Sequence, residues 1–473
     1  MCNYFHFQNV FIIMKKLNLL ITLLLLNFFV SNAQTIAEPQ VIVRFKELFL
    51  KKDYTAIYSL IGEDFKARYP ATANQGLLGA VYNSMGGEIS FEFKSQNGLH
   101  YVYLIKGTQA TAQAEFDISA DQKITGLLFK PVEMAAPVSL FNVKSNNPLK
   151  TRTDKKVDSI IKKALRSTNI GTAIAVIKDG KVVNYGYCET FTGSGLIPTA
   201  NDVFEIGSIT KTFTATVLAS LVKDKKIDLN QDFRFYLPNL FPGFQGAEPT
   251  ITVAQLANHT SGLPNMPPFT TTLAKTGEDS FNYYTQEDLE NYLKNDLRQN
   301  GTAGKFAYSN LGFSILGYVL EKASGASYAT LVKKYVIAPL GLKQTFIEQR
   351  NISTKGHNEN RIVSYLNLKA MAPAGMIKSN LTDLTIYAQH ELKPKAGMLL
   401  TQTVTFSNEQ LKVGLGWLIR TLPNGNEIIF HNGATTGYSS FIGFDKKSQT
   451  AVIILSNHKN DVTGAGMKLL EEL

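Results

Sequence analysis

Residues 427–457 read EIIFHNGATTGYSSFIGFDKKSQTAVIILSN. The runs EIIFHNGA, YSSFIGFD and TAVIILSN are rich in β-branched and aromatic side chains and are joined by turn residues, as in consecutive antiparallel strands. Far upstream, residues 173–187 (AIAVIKDGKVVNYGY) give two more β runs joined by Asp179-Gly180. Asp-Gly suits a tight hairpin because both central positions of that turn need positive φ. The amphipathic stretch KKVDSIIKKALRS (155–167) precedes this hairpin, and long helical stretches lie between the two β groups. N-terminal and C-terminal strands are therefore expected to share one mainly antiparallel sheet flanked by helices, with a helical subdomain, in an α/β (α+β) architecture.

Within the helical part, residues 205–226 read EIGSITKTFTATVLASLVKDKK. Ile209, Phe213, Val217 and Leu221 recur every four residues, which predicts a helix with Ser208 at its start. Unpaired N–H groups and the dipole at a helix start favour an oxyanion, and Lys211, three residues on, shares the face of Ser208. S-x-x-K alone carries little, since Ser159, Ser220 and Ser456 also begin one; order and partners decide. Tyr308-Ser309-Asn310 leads into the apolar helical run of GKFAYSNLGFSILGYVLEKASG (304–325). Beside a lysine the Tyr308 phenol could turn acidic enough to act as a base toward a serine proton, and Asn310 could hold a substrate amide. Tyr365-Leu366-Asn367 has the same spacing without a comparable helix after it. The third element is His431-Asn432-Gly433-Ala434, where Gly433 allows a substrate backbone to approach the strand edge. A literal Lys275-Thr276-Gly277 precedes the Tyr308 element in a polar loop and is set aside.

The ordered set SITK (208–211), LANHTSGLP (256–264), YSN (308–310), PAGM (373–376), VGLGW (413–417) and HNGATTGYSSFIGFD (431–445) closely resembles the class C β-lactamases and the related D-alanyl-D-alanine carboxypeptidases, D-aminopeptidases and esterases. The likeness runs from about residue 151 to 473. It implies a β-lactamase/transpeptidase-like fold and acyl transfer through Ser208 as nucleophile. Lys211 and Tyr308 would handle protons, Asn310 would touch substrate, and His431 would complete the cleft. The backbone N–H groups of Ser208 and Ala434 would form the oxyanion hole, with Gly433 keeping that edge open. His259 would be structural. Where typical β-lactamases of this kind carry Lys, His431 is a weaker anion anchor at neutral pH. A D-alanyl-peptidase-like or esterase-like enzyme is therefore expected; the alternatives are a true class C-type β-lactamase or a silent penicillin- or peptide-binding envelope protein. No G-x-S-x-G, H-E-x-x-H or phosphate-loop motif competes.

The 473-residue length suggests two domains after a leader. Residues 14–33, MKKLNLLITLLLLNFFVSNA, have the charged start, apolar run and small Ser31 and Ala33 of a cleavable secretion signal spanning 1–33, with Met14 a candidate true start. Export to a bacterial periplasm or the medium follows, with no stable membrane anchor after cleavage. The mature chain would keep Cys188 alone, excluding an intramolecular disulfide and a cysteine-based zinc site. Residues 34–135 read as a small α+β accessory domain. Its one helical stretch, VIVRFKELFLKKDYTAIYSLI (41–61), precedes the strand-like FEFKS, HYVYLIKG, AQAEFDIS and ITGLLFK, an order similar to cone-shaped nuclear-transport-factor-like domains. Residues 136–150 read as a linker and 151–473 as the hydrolase domain. The net charge of +10 includes Lys15 and Lys16 and is otherwise scattered. Without a basic stripe, nucleic-acid binding is not expected. The partner is a small molecule or peptide, a peptidoglycan-like peptide, β-lactam or ester, and the chemistry calls for no metal and no organic cofactor.

Overall fold

The computed structural model describes residues 38–68, 71–86, 88–107, 110–132, 143–165, 171–244, 251–267, 284–299, 301–358, 361–409, 411–422 and 424–473. The expected signal over 1–33, with Met14, and the set-aside Lys275-Thr276-Gly277 lie outside these residues. Two compact units divide between residues 139 and 140.

In the first unit, helices α1 (Gln40–Leu50), α2 (Tyr54–Ser59), α3 (Glu63–Arg68) and α4 (Ala71–Met85) precede a four-stranded antiparallel sheet in the order β1 (Ser90–Asn97), β2 (His100–Lys106), β3 (Thr111–Ile118), β4 (Ile124–Val132). The single helix expected over 41–61 is broken. Lys52 adopts φ 58° and the Asp53 side chain caps α2 by accepting the Ala56 N–H. The apolar spacing continues across the break, so periodicity alone does not show it. One core unites the buried side of α1 (Ile42, Phe45, Phe49) with Tyr103, Ile105 and Phe116 of the sheet.

The second unit is built on an eight-stranded, wholly antiparallel sheet. After β5 (Thr172–Lys178), β6 (Lys181–Tyr187), β7 (Phe204–Glu205), β8 (His357–Asn358), β9 (Arg361–Ile362) and β10 (Lys378–Ser379) come β11 (Phe406–Ser407), β12 (Lys412–Val413), β13 (Leu418–Thr421), β14 (Glu427–Ala434), β15 (Ser439–Asp445) and β16 (Thr450–Ser456). The large sheet runs β11-β12-β13-β14-β15-β16-β5-β6, so the first hairpin joins the last strands as expected. Asp179 (φ 52°) and Gly180 (φ 73°) make the predicted turn. Residues expected to be linker take part from residue 143 on: Asn146 N–H donates to Gly186 C=O and Cys188 N–H to Lys144 C=O, tying the segment to β6.

Strand side chains alternate between faces, and both faces are covered. Ala451, Ile453 and Leu455 of β16 join a core with the helical subdomain, whereas Val452 and Ile454 pack with Val157 and Ile161 of α5 (Arg152–Ala164) and Leu469 near the C-terminus. That double burial is why TAVIILS reads as one unbroken apolar run. The subdomain includes α6 (Thr210–Lys223), α7 (Val253–Ala257), α8 (Gln286–Asn295), α9 (Asn310–Ser324), α10 (Ala372–Gly375) and α11 (Leu381–Leu392).

Helix α6 departs from the expected one-sided stripe. Thr212, Thr214 and Thr216 are buried along with Phe213 and Val217. The Thr212 and Thr216 hydroxyls donate back to the Ile209 and Thr212 carbonyls, and Thr214 donates to the Pro373 carbonyl at 2.8 Å with the Thr210 carbonyl at 3.2 Å, so each enters the core without an orphaned donor. Aromatic stacking of Phe213 on Tyr387 at 4.3 Å fixes α6 against α11. Such pairs contribute about 1 kcal/mol beyond area burial.

Candidate active site

Ser208 occupies a single 3-10 turn, Gly207–Ile209, that leads into α6 rather than the α-helix itself. The turn lies directly against β14. Gly207 has φ 49°, and a Cβ there would stand 2.7 Å from the Ala434 backbone nitrogen. Gly433 is buried, and a Cβ on it would fall 2.1 Å from the Ile206 carbonyl oxygen and 2.4 Å from Ser440 Oγ. The close approach that Gly433 permits is therefore that of the nucleophile turn, where the sequence suggested a substrate backbone. Ser440 Oγ donates to the same Ile206 carbonyl at 2.8 Å, pinning the turn to β15 as well. Beneath it, Lys378 and Glu205 pair at 3.7 Å with side chains 0% and 3% exposed.

Lys211, the second residue of α6, is fully buried. Its Nζ lies 3.0 Å from Ser208 Oγ, 2.7 Å from Asn310 Oδ1 and 2.7 Å from the Ala374 carbonyl oxygen. Burial pushes the ammonium well below its ordinary range. Two of the three neighbours are pure acceptors. A neutral amine has two N–H bonds and one lone pair, so donating to Asn310 and Ala374 leaves the lone pair facing the Ser208 hydroxyl.

Tyr308 stands beside Lys211, its ring centroid 4.9 Å from Nζ. Burial raises the phenol above its ordinary value, opposed only by the Ser208 hydroxyl. The expectation of an acidified Tyr308 is thereby reversed: a nearby lysine lowers a phenol only if it is charged, and burial disfavours charge on both. Asn310, the first residue of α9, is committed inside the site. Its Oδ1 accepts from Lys211, and its Nδ2 donates to Asn265 Oδ1 at 2.9 Å and to Met266 Sδ at 3.3 Å. Of these contacts, the thioether is the weak acceptor that a substrate carbonyl can replace.

His431 is 1% exposed on β14, with ring centroid 6.3 Å from that of Tyr308. Its Nδ1 lies 2.6 Å from the Asn432 carbonyl, and Nε2 has no partner among the described residues. Burial lowers its pKa to about 3, so the imidazole is neutral at pH 7. The structure thus brings Ser208, Lys211, Tyr308, Asn310, His431, Gly433 and Ala434 into one site. The other S-x-x-K serines lie elsewhere: Ser220 Oγ is spent on the Thr216 carbonyl, Ser456 is buried in β16 and Ser159 is exposed on α5. Tyr365 donates to the Thr354 carbonyl. Among the described residues no group of three or more His, Cys, Asp or Glu could hold a metal ion.

Two contributors escape sequence reasoning. Ala374 acts through a backbone carbonyl, which has no side-chain signature; its place in PAGM was the available signal. Asn265 orients Asn310 and follows directly on LANHTSGLP.

The β-lactamase family model matches residues 157–471. "Protein flp" of Staphylococcus aureus (strain MRSA252) is 25% identical over 68% of this chain, and the chain spans 66% of that relative's length. A β-lactamase of Providencia stuartii is 30% identical over 50% of the chain and 59% of its own. Among solved structures, a β-lactamase/D-alanine carboxypeptidase from Pseudomonas syringae superposes with a TM-score of 0.59 at 20% identity, covering 68% of this chain and 98% of that one. A class C β-lactamase mutant gives 0.59 at 24% identity over 68% and 97%.

Proposed function

The chain belongs to the β-lactamase family and is a serine hydrolase, and from that premise we propose that it is an exported D-alanyl-peptidase-like or esterase-like enzyme working through an acyl-enzyme on Ser208. The observation that carries the mechanism is the set of three contacts around Lys211 Nζ. With its two N–H bonds committed to Asn310 and Ala374, neutral Lys211 accepts the Ser208 proton as Oγ attacks the substrate carbonyl. The oxyanion rests on the N–H groups of Ser208 and Ala434, at the junction where the nucleophile turn meets β14. Tyr308, kept as a phenol by burial, passes its proton to the leaving amine or alcohol and is reprotonated from Lys211. Water then attacks the acyl-enzyme and returns the site to its starting state.

Buried, neutral His431 supports the choice of substrate class. A fixed cation in its place would grip the carboxylate of a β-lactam, and an uncharged imidazole does so weakly. Esters and D-alanyl-type amides are expected to outpace β-lactams. The signal-like segment 14–33 supports export. Turnover of an activated ester, a D-alanyl-D-alanine peptide and benzylpenicillin, measured side by side, tests the reading. It predicts larger kcat/KM for ester or peptide. Benzylpenicillin turned over fastest would establish a true β-lactamase, and acylation without any turnover a silent binder.

A further inference from the structure

Tyr308 belongs to no helix or strand; it stands just before Ser309, the cap of α9. What surrounds it is His259, two residues beyond α7. The His259 carbonyl accepts the Ala307 N–H at 2.8 Å, and its Nδ1 accepts the Ser309 N–H at 3.1 Å. The imidazole stacks on the Tyr308 ring, with centroids 4.3 Å apart and planes 28° from parallel. One residue thus binds the backbone on both sides of Tyr308 and covers its ring. The same segment holds the next residues too, since the Asn265 carbonyl accepts from the N–H groups of Asn310 and Leu311.

Two features separate this from ordinary packing. His259 adopts φ 64°, a left-handed backbone that side chains other than glycine rarely take. It is also 1% exposed, with Nε2 lacking a partner among the described residues. A histidine serving the core alone would satisfy both nitrogens and needs no unusual backbone. Because Nδ1 accepts from an N–H, the ring proton sits on Nε2 and the ring is neutral. Protonation would set N–H against N–H at Ser309. Burial keeps the ring in this form.

We propose that His259 is a positioning residue for Tyr308, a clamp that fixes the phenol over Ser208 by gripping residues 307 and 309 and stacking on the ring between them. The proposal rests on the role given to Tyr308 above. Asparagine and glycine both tolerate left-handed φ, so His259→Asn and His259→Gly are the informative variants. Asn keeps a side-chain oxygen near the Nδ1 position, whereas Gly keeps only the backbone carbonyl. Pre-steady-state acylation by an activated ester is measured for both, alone and combined with Tyr308→Phe, with thermal melts to establish the folded fraction and Ser208→Ala as blank. The clamp predicts that His259→Gly lowers the acylation rate at saturating ester by about 100-fold, with KM changed far less, and that Asn restores about tenfold of it. In the Tyr308→Phe background neither substitution should matter by more than about twofold, because the clamp acts only through the phenol. A folded His259→Gly protein acylating at the wild-type rate, or the same loss with and without Tyr308→Phe, would overturn the clamp. If Ser208→Ala itself still acylated, the reading of the site would fall instead.

Discussion

Lys211 faces two obligate acceptors and one hydroxyl, so its protonation state decides its role: only the neutral amine has a lone pair left for the Ser208 proton. A carboxylate at position 310 reverses that decision. Asn310→Asp would place negative charge about where Oδ1 stands, 2.7 Å from Nζ, and raise the lysine pKa. Protonated lysine cannot accept the Ser208 proton, so the acid limb of the kcat/KM profile should move up by about one pH unit or more and activity at neutral pH should fall. A pH series of ester hydrolysis checks this; an unmoved limb would mean that Lys211 is not the titrating base. Lys211→Met should cost about 10²–10⁴ in acylation. At this scale the sequence was legible where chemistry is local. Ser208 and Lys211 are three residues apart on one turn, and their meeting follows from helical geometry. The Ala374 carbonyl lies 163 residues from Lys211, and nothing in residue type announces a backbone acceptor. Asn310 was visible as a site residue, but not its commitment to Lys211 and Asn265, which depends on how distant segments meet.

Among the elements, β14 and the turn before α6 are in backbone contact, and that contact is built on Gly207 and Gly433. Gly433→Ala should push the nucleophile turn away from Ala434, lowering kcat by about 100-fold while the protein still folds; soluble yield and ester turnover report it. Helix α11 carries a different consequence. Glu391 is fully buried, bonded by Gln402 Nε2 at 2.5 Å, with Oε1 lacking a partner among the described residues. Burial raises its pKa from 4.5 to about 7. The folded state therefore holds a proton that the unfolded chain releases near pH 4.5. This group's contribution to stability is present below that pH and is lost as pH rises toward about 7. Thermal melts should show Glu391→Gln removing a decline in Tm across that window. The Asp179-Gly180 hairpin and the strands of 427–457 were readable because turn chemistry and apolar runs are short-range signals. The break at Lys52 was not, because the apolar positions of α1 and α2 stay in phase across it. The burial of α6 on nearly all sides was hidden by threonines, which count as polar until their back-bonding is seen.

Over the whole molecule, two compact units hold separate hydrophobic cores, one around Phe45, Phe49 and Phe116 and the others on the two faces of the large sheet. Calorimetry should resolve more than one unfolding transition, and acylation at Ser208 should raise only the one belonging to residues 140–473. The layout of that second unit was legible from the order of its motifs, because strands at both ends of a segment with helices between them admit few sheets. The helices α3 and α4 of the first unit were not foreseen; their apolar positions follow no strong period. The central claim is that the fold activates one serine through a neutral lysine. It is tested most directly by intact mass after exposure to a fluorophosphonate, which reacts with an activated serine whatever the natural substrate. The account predicts one adduct on the wild-type chain, none on Ser208→Ala, and formation at least 100-fold slower on Lys211→Met. An adduct that persists on Ser208→Ala, or that forms as fast without Lys211, would contradict it.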